Sequence, residues 1–338
     1  MKVAVIGAGS FGTVLANVAE ANGHQVSLWC RTAEQAQQIQ DSGTNARFHP
    51  KLRLDSVQAS SDIGVVVDGA DLVILSVPSK GMRDVCLTLA PVLAPAVPIV
   101  STTKGIQADG FLLMSEVIER ACPGHPVGVL SGPNLAAEIA QRHLSAAVIA
   151  SPSAALREAA TQALGCRYFR LYSATDRVSV ELGGALKNIY AIASGLAAAL
   201  QVGSNTQAAL ITRALAEMSR LASHLGGNPM TFLGLAGVGD LMVTCTSPLS
   251  RNYRVGWHLG QGLSLSAAEQ AVGQVAEGIN TLELVHQRAL SMGVTMPIVS
   301  GLYEVIFGQK PARSVAMQFM QAASTSDVEF VLPGVPGP

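Results

Sequence analysis

A glycine-rich turn near the amino terminus constrains the fold of this chain most strongly. Its glycines follow the pattern Gly7-x-Gly9-x-x-Gly12, directly after the apolar run Val3–Ile6 and before the helix-forming stretch Thr13–Asn22. In a strand–turn–helix unit, the first glycine permits a tight turn, the second leaves room for a pyrophosphate, and the third lets the helix pack on the strand. Free N–H groups at the helix N-terminus then face the phosphates. The pattern predicts dinucleotide binding; the alternative is a tight turn that binds nothing.

The first half of the chain alternates short apolar runs with helix-forming segments. Several runs are apolar at every position, which is typical of parallel strands covered on both faces. The alternation predicts an α/β fold, with a Rossmann-like doubly wound sheet over residues 1–173. The predicted strands are Val3–Ile6, Gln25–Cys30, Leu72–Val77, Ile99–Thr102, Gly128–Leu130, Ala146–Ala150 and Tyr168–Leu171.

From residue 174 onward the pattern changes to long segments rich in alanine and leucine, with no convincing strand between them. High helix propensity over such lengths predicts an all-helical C-terminal domain at residues 174–323. Residues 324–338, which end in a run rich in proline and glycine, are predicted to form a flexible tail. The predicted helices are Asp176–Leu200, Ala208–Leu225, Ser266–Gln274 and Ile279–Ser291.

Charge is scarce in this chain. Asp, Glu, Lys and Arg make up 13% of it, against about 25% in an average soluble protein. The near balance of 22 basic and 23 acidic residues argues against a nucleic-acid partner. The longest apolar stretch, Ile189 to Val202, is interrupted by Ser194 and falls short of the ~20 residues that cross a bilayer.

The cysteines and histidines predict neither a disulfide framework nor a metal site. The five cysteines form no C-x-x-C pair, and the seven histidines show no metal-ligand spacing. An odd number of scattered thiols suits a reducing compartment. We therefore expect a cytoplasmic protein without a metal.

The end of the second predicted strand bears on the choice of cofactor. An NAD site usually places an acidic residue there to bind the ribose 2′-hydroxyl. This chain has Trp29-Cys30-Arg31-Thr32, with no acid before Glu34. Because the Arg31 guanidinium suits a 2′-phosphate, NADP(H) is the preferred cofactor and NAD(H) the alternative. A surface arginine without a ligand is the other interpretation of Arg31.

Two of the six lysines stand in apolar contexts. Lys104 follows a buried-looking strand, at the carboxyl edge where ligands of open α/β sheets bind. Lys187 lies within the small-residue segment Gly183–Tyr190, which carries no other charge. It either extends to the surface or is held in a cleft, where a desolvated lysine is a usable proton donor or acceptor near neutral pH.

Two segments of the second half carry polar groups suited to a ligand. Asp240 follows Gly239 and could orient a hydroxyl or an ammonium group. The run Ser250-Arg251-Asn252 offers a hydroxyl, a guanidinium fork and an amide, which are the donors that a phosphate needs. Taken alone, the run is better explained as a helix N-cap followed by a surface arginine.

Eight short motifs follow one another along the chain. They are Gly7-Ala8-Gly9-Ser10-Phe11-Gly12-Thr13, Ser76-Val77-Pro78-Ser79, Thr103-Lys104-Gly105-Ile106, Leu130-Ser131-Gly132-Pro133-Asn134-Leu135-Ala136, Gly184-Ala185-Leu186-Lys187-Asn188, Gly234-Leu235-Ala236-Gly237-Val238-Gly239-Asp240-Leu241, Ser250-Arg251-Asn252 and Glu277-Gly278. These motifs and their order resemble those of NAD(P)-dependent sn-glycerol-3-phosphate dehydrogenases of the bacterial type, from Met1 to about residue 310. The resemblance implies that dihydroxyacetone phosphate is reduced to sn-glycerol 3-phosphate for glycerophospholipid synthesis.

The resemblance also implies roles for single residues. Lys187 becomes the proton donor or acceptor, and the other implied catalytic residues are Lys104, Asp240 and Asn188, with Thr244 a weaker candidate. The implied substrate contacts are Lys104, Gly132, Asn134, Lys187, Asp240, Ser250, Arg251 and Asn252. The implied cofactor contacts are Gly7, Gly9, Ser10, Phe11, Gly12, Arg31, Lys104, Ala136, Arg251, Val275 and Glu277. Phe11 stands where the family often has tryptophan, and Asn134 where it usually has serine or threonine.

Two other functions remain open at this stage. A related two-domain reductase, of the ketopantoate reductase or hydroxyacid dehydrogenase type, shares the glycine loop and a helical lysine but not the Ser250-Arg251-Asn252 run with Gly239-Asp240. A non-catalytic NADP(H) sensor would not need the two lysines and Asp240. The sequence leaves the oligomeric state open, with a homodimer as one alternative.

Overall fold

The computed structural model of the protein describes residues 1–273 and 277–321. By their internal contacts these residues form two units, Met1–Glu181 and a second that begins at Leu182. The division lies inside a helix, whereas the sequence pattern changes at residues 173 and 174. Within the described ranges no helix is both long and apolar enough to cross a membrane. The predicted tail at 324–338 lies outside the described residues.

The first unit is built on an eight-stranded sheet with the order β12-β11-β10-β7-β6-β1-β2-β5. Two short antiparallel hairpins, β3–β4 and β8–β9, lie outside this sheet. The strands are β1 (Lys2–Ile6), β2 (Gln25–Trp29), β3 (Thr44–Asn45), β4 (His49–Arg53), β5 (Gln58–Ser60), β6 (Leu72–Leu75), β7 (Ile99–Ser101), β8 (Ile106–Gln107), β9 (Leu112–Leu113), β10 (Val127–Ser131), β11 (Ser145–Ala150) and β12 (Phe169–Ala174).

Every strand predicted from the sequence is present in this sheet. The sequence pattern does not predict β5, because this strand has only three residues and the central Ala59 is its one apolar residue. All neighbours pair in parallel except β10 and β11, which are antiparallel. The fold class is confirmed, with one antiparallel pair within a mainly parallel sheet.

Helices cover both faces of the sheet. Alternate residues of a strand point to opposite faces, so Val3 and Val5 join one core cluster while Ala4 and Ile6 join the other. In the first unit the helices are α1 (Ser10–Ala21), α2 (Ala33–Ser42), α3 (Ile63–Val67), α4 (Met82–Leu89), α5 (Met114–Ala121), α6 (Ala136–Ala140) and α7 (Ala154–Leu164). This is the doubly wound arrangement that the alternating pattern predicts.

The described part of the second unit contains helices and no strand, as predicted. The helix α8 (Arg177–Ala199) runs from the first unit into the second. The helices that follow are α9 (Ser204–His224), α10 (Asp240–Thr246), α11 (Arg251–Gly260), α12 (Leu265–Val272), α13 (Glu277–Met292), α14 (Pro297–Ile306) and α15 (Ala312–Gln321). A π-helical turn, Leu235–Gly239, directly precedes α10.

Glycines bring α8 and α11 into backbone contact. A Cβ atom at Gly195 would lie 1.9 Å from the Tyr253 carbonyl oxygen, and one at Gly256 would lie 1.9 Å from the Ile192 carbonyl oxygen. Neither position accepts a larger residue without separating the helices. This close packing places the first two turns of α11 beside the C-terminal half of α8.

Glu181 attaches the start of α8 to α5. Its carboxylate accepts hydrogen bonds from the Ser115 backbone N–H at 2.9 Å and the Ser115 hydroxyl at 2.6 Å. Burial raises the pKa of Glu181 to about 7, against the opposing effects of the Ser115 hydrogen bonds and the Arg177 charge. The negative charge of Glu116 raises the pKa of Glu181 by a smaller amount. Below about pH 7 the folded chain therefore favours the protonated carboxyl.

This pKa predicts how stability depends on pH. Because the pKa of Glu181 is about 7 in the folded chain against an ordinary 4.5, the folded chain binds more protons between these values. The Glu181 contribution to the free energy of unfolding therefore falls as pH rises through that window. Glu181→Gln mimics the protonated carboxyl, so its free energy of unfolding relative to wild type should rise by on the order of 3 kcal/mol between about pH 4 and pH 8.

Chemical denaturation of both proteins across this pH range measures the effect. The matched control is Glu158→Gln, at an exposed position of α7, which should keep the wild-type pH dependence. Parallel curves for wild type and Glu181→Gln would show that burial of Glu181 does not set this dependence.

Candidate active site

The three glycines of the first turn have the three properties that their spacing predicts. Gly7 has φ +119°, and a Cβ there would lie 2.4 Å from the Ser76 carbonyl oxygen. A Cβ at Gly12 would lie 2.0 Å from the Gly7 carbonyl oxygen, whereas one at Gly9 would meet nothing within 4 Å. Two glycines are thus required by the turn itself, and Gly9 faces open space at the N-terminus of α1. A pyrophosphate fits this arrangement.

Side chains distant in sequence hold this turn. The Ala8 carbonyl oxygen accepts hydrogen bonds from Gln35 Nε2 at 2.9 Å and Asn45 Nδ2 at 3.0 Å. The Ser10 hydroxyl is hydrogen-bonded to His49 Nε2 at 2.9 Å. Sequence reasoning missed Gln35, Asn45 and His49, since no local motif marks a residue that reaches the turn from another element.

The predicted cofactor residues around the turn lie as follows. Strand register pairs Ile6 with Trp29, and Arg31 follows two residues beyond Trp29, exposed at the carboxyl edge of the sheet. Phe11 and Ala136 are partly buried and pack against the same core cluster. The structure thus places Arg31 on the same sheet edge as the glycine turn.

Lys104 and Gly132 meet at this carboxyl edge. The segment after β7 is fixed by a hydrogen bond from the Thr103 hydroxyl to the Val77 carbonyl oxygen, 2.6 Å. Lys104 Nζ then donates to the Gly132 carbonyl oxygen at 2.9 Å. Gly132 has φ +130°, a conformation that favours glycine. Two residues predicted to contact the substrate are therefore neighbours.

Asn134, two residues further on, has an unsatisfied side chain. Both Oδ1 and Nδ2 are buried, and neither has a hydrogen-bond partner. A buried amide without partners costs about 1–3 kcal/mol for each unsatisfied group. A ligand that both donates and accepts a hydrogen bond would remove this cost, and a hydroxyl group does both.

Lys187 is buried and paired in the second unit. Its side chain is 9% exposed, and its ammonium group forms an ion pair with Asp240, whose side chain is fully buried. Lys187 Nζ also donates to the Thr244 hydroxyl at 2.9 Å, and that hydroxyl donates to the Asp240 carbonyl oxygen at 2.6 Å. Of the two interpretations of Lys187, the structure thus shows the lysine held within the unit.

The local fold around Asp240 explains the small residues of α8. A Cβ at Gly183 would lie 2.3 Å from the Ala236 carbonyl oxygen. The π-helical turn that contains Ala236 can therefore approach α8 closely, and Asp240 follows it as the first residue of α10. A carboxylate is favoured in the first turn of a helix. Burial raises the pKa of Cys245, on the same helix, to about 12, so its thiol stays protonated.

Asn188 and Asn252 form a second polar group next to Lys187. Asn252 Nδ2 donates to Asn188 Oδ1 at 2.9 Å, and the Gly278 N–H donates to Asn252 Oδ1 at 3.2 Å. Glu277 is the first residue of α13. Val275, a predicted cofactor contact, lies outside the described residues.

Ser250 and Arg251 occupy the start of α11. Ser250 is the N-cap, and its hydroxyl accepts a hydrogen bond from the Tyr253 N–H at 3.3 Å. Arg251 follows as an exposed residue. The capping role is therefore present, and it leaves the hydroxyl proton for another acceptor. Within the described ranges, no group of three or more His, Cys, Asp or Glu side chains could hold a metal ion.

Comparison with known proteins gives matches along nearly the whole chain. Residues 2–157 match the family model described as NAD-dependent glycerol-3-phosphate dehydrogenase N-terminus. Residues 176–317 match the model described as NAD-dependent glycerol-3-phosphate dehydrogenase C-terminus. The matched ranges follow the two halves of the sequence pattern.

Single proteins agree with these family models. The chain is 50% identical over 331 residues to a glycerol-3-phosphate dehydrogenase [NAD(P)+] from Teredinibacter turnerae, covering 98% of this chain and 97% of that protein. The structure of this chain is similar to the crystal structure of glycerol-3-phosphate dehydrogenase from Coxiella burnetii, with a TM-score of 0.90 and 35% identity. The match covers 95% of this chain and 99% of the Coxiella chain.

A ketopantoate reductase is a more distant structural neighbour. The structure of the enzyme from Ralstonia eutropha matches with a TM-score of 0.57 and 19% identity. The match covers 95% of this chain and 100% of the reductase chain. Similarity at this level shows a shared fold alone. The reductase alternative to the predicted activity therefore has no support beyond fold.

Proposed function

The chain belongs to the NAD-dependent glycerol-3-phosphate dehydrogenase family, and we propose that Lys187 exchanges the proton in its reaction. The activity is the NAD(P)-dependent interconversion of dihydroxyacetone phosphate and sn-glycerol 3-phosphate. A nicotinamide cofactor held at the turn of Gly7, Gly9 and Gly12 would supply the hydride for the carbonyl carbon. The protein must supply the proton for the carbonyl oxygen and must stabilise the negative charge that develops there.

The observation that carries the proposal is the buried ion pair of Lys187 and Asp240. A buried ammonium group is stable only with a partner, and Asp240 provides the compensating charge. Thr244 holds Nζ from a second direction at 2.9 Å. The ammonium group is thus fixed in position before substrate binds, which suits a proton donor for the reduction. The neutral amine, which is what Nζ becomes when it gives up that proton, would be the proton acceptor in the oxidation.

We assign the substrate phosphate to Ser250, Arg251 and Asn252. The first turn of the ten-residue helix α11 offers N–H groups and a partial positive charge to an anion, and the Arg251 guanidinium adds a fork of donors. The buried, unsatisfied amide of Asn134 supports a contact with a substrate hydroxyl. Lys104, Gly132 and Asn188 complete the proposed substrate contacts, and Lys104 is also proposed to contact the cofactor.

We propose NADP(H) as the preferred cofactor. Support comes from Arg31, which is exposed at the sheet edge that holds the glycine turn, where an NAD site would have an acid. The remaining proposed cofactor contacts are Gly7, Gly9, Ser10, Phe11, Gly12, Ala136, Arg251, Val275 and Glu277. We further propose that the enzyme acts in the cytoplasm, in glycerophospholipid synthesis.

Replacement of Lys187 tests the proton transfer. Lys187→Ala should lower kcat for dihydroxyacetone phosphate by about 10²–10⁴-fold, because proton transfer by a positioned group contributes that much. Binding of NADPH, measured by fluorescence titration, should persist. Lys187→Arg is the matched variant, since it keeps a positive charge beside Asp240 but does not release a proton at working pH. A near-normal kcat in Lys187→Arg would assign Lys187 to charge stabilisation instead.

Replacement of Arg31 tests the cofactor preference. Arg31→Asp should lower kcat/KM for NADPH and raise it for NADH, because an acid repels the 2′-phosphate and accepts a hydrogen bond from the 2′-hydroxyl. The ratio of the two kcat/KM values should fall by about tenfold or more, the effect of one charge-assisted hydrogen bond. An unchanged ratio would remove Arg31 from the cofactor site.

A further inference from the structure

Three residues of the second unit form a chain of hydrogen bonds that we call the amide relay. It runs from the Gly278 N–H to Asn252 Oδ1, 3.2 Å, and from Asn252 Nδ2 to Asn188 Oδ1, 2.9 Å. Its members lie on α13, α11 and α8. The relay ends at the residue directly after Lys187.

A backbone N–H at one end fixes the direction of every bond in the relay. The Gly278 N–H can only donate, so Asn252 must turn its oxygen toward α13 and its Nδ2 toward α8. Asn188 must then turn its oxygen toward Asn252, which leaves its own Nδ2 as the group that faces away from the relay. Either asparagine alone could adopt both amide orientations, and the relay selects one.

Position 278 accepts only glycine in this arrangement. A Cβ there would lie 2.7 Å from the Asn188 carbonyl oxygen and 2.8 Å from both Asn252 Oδ1 and Ile192 Cδ1. The first turn of α13 would have to move away from α8 to make room. Its N–H would then no longer reach Asn252 at hydrogen-bond distance.

We propose that Gly278 is a positioning residue for the substrate. Through Asn252 it orients Asn188 to present hydrogen-bond donors, and the oxygens of a phosphorylated keto substrate are acceptors. The inference rests on the proposed contact between Asn188 and the substrate. Gly278 itself touches neither ligand in this scheme, and it acts on substrate affinity through two side chains.

The first test compares two glycine variants with similar steric cost. Gly278→Ala should raise KM for dihydroxyacetone phosphate by about tenfold or more at saturating NADPH, the cost of a misdirected hydrogen bond, with a smaller change in kcat. Gly260→Ala is the matched control. Its Cβ would lie 2.6 Å from Ala199 Cβ and 2.9 Å from the Leu196 carbonyl oxygen, on α8 but outside the relay. The control should lose stability and keep KM within about twofold.

A double-mutant cycle shows whether Gly278 acts through Asn188. Asn188→Ala should raise KM by itself, and Gly278→Ala should raise KM by a clearly smaller factor in the Asn188→Ala background than in wild type, the remainder coming from the proposed phosphate contact of Asn252. If the KM factors of the two single variants simply multiply in the double variant, Gly278 does not act through Asn188. That result would overturn the relay and leave the role of Asn188 intact. An unchanged KM in Asn188→Ala would overturn both the relay and the proposed substrate contact. An equal rise of KM in Gly260→Ala would assign the effect to helix packing and overturn the relay as well.

A second measurement applies if Gly278→Ala does not fold. Amide proton exchange, followed by NMR, reports both hydrogen bonds of the relay without a change at position 278. The Gly278 N–H should exchange faster in Asn252→Ala than in wild type, and the Asn252 side-chain protons should exchange faster in Asn188→Ala. Unchanged exchange at either group would show that the relay does not form.

Discussion

The ammonium group of Lys187 and the carboxylate of Asp240 lie together inside the helical unit, where neither charge could be buried alone. An unpaired buried charge costs several kcal/mol, so breaking such a pair is strongly destabilising. The residues around the pair allow the two charged groups to meet and hold them together. Gly183 lets the π-helical turn before Asp240 approach α8, and Thr244 holds the lysine from a second side. The same features that make the pair stable also fix the proposed proton donor in one place.

Close approach of backbones is the second requirement, and glycine meets it in both units. Gly7 lies in the turn before α1 and Gly12 in the first turn of that helix, and Gly195, Gly256 and Gly278 bring the helices around α8 together. Gly9 differs, because the space beside it is open and suits a ligand instead of a packed neighbour. Glycine therefore serves two purposes in this chain, close packing and ligand binding, and the residue type alone does not show which of the two applies at a given position.

The sequence predicts most of the sheet and the polar residues of the site, because apolar runs and motifs are local signals. It does not reveal Gln35, Asn45 and His49, which reach the glycine turn from other elements. It also does not reveal the antiparallel pairing of β10 with β11, since periodicity carries no strand direction. The sequence marks Gly278 only as part of the Glu277-Gly278 motif. Its packing against Asn188 becomes visible only in the folded chain, because the two residues lie on different helices.

Chemical rescue of Lys187→Ala tests the central claim most directly. Small primary amines added to the variant should restore turnover of dihydroxyacetone phosphate in proportion to their concentration. The rescued rate should depend on the pKa of the amine, because proton transfer follows Brønsted behaviour. No rescue, in a variant that still binds NADPH and substrate, would contradict the assignment of Lys187 as the group that transfers the proton.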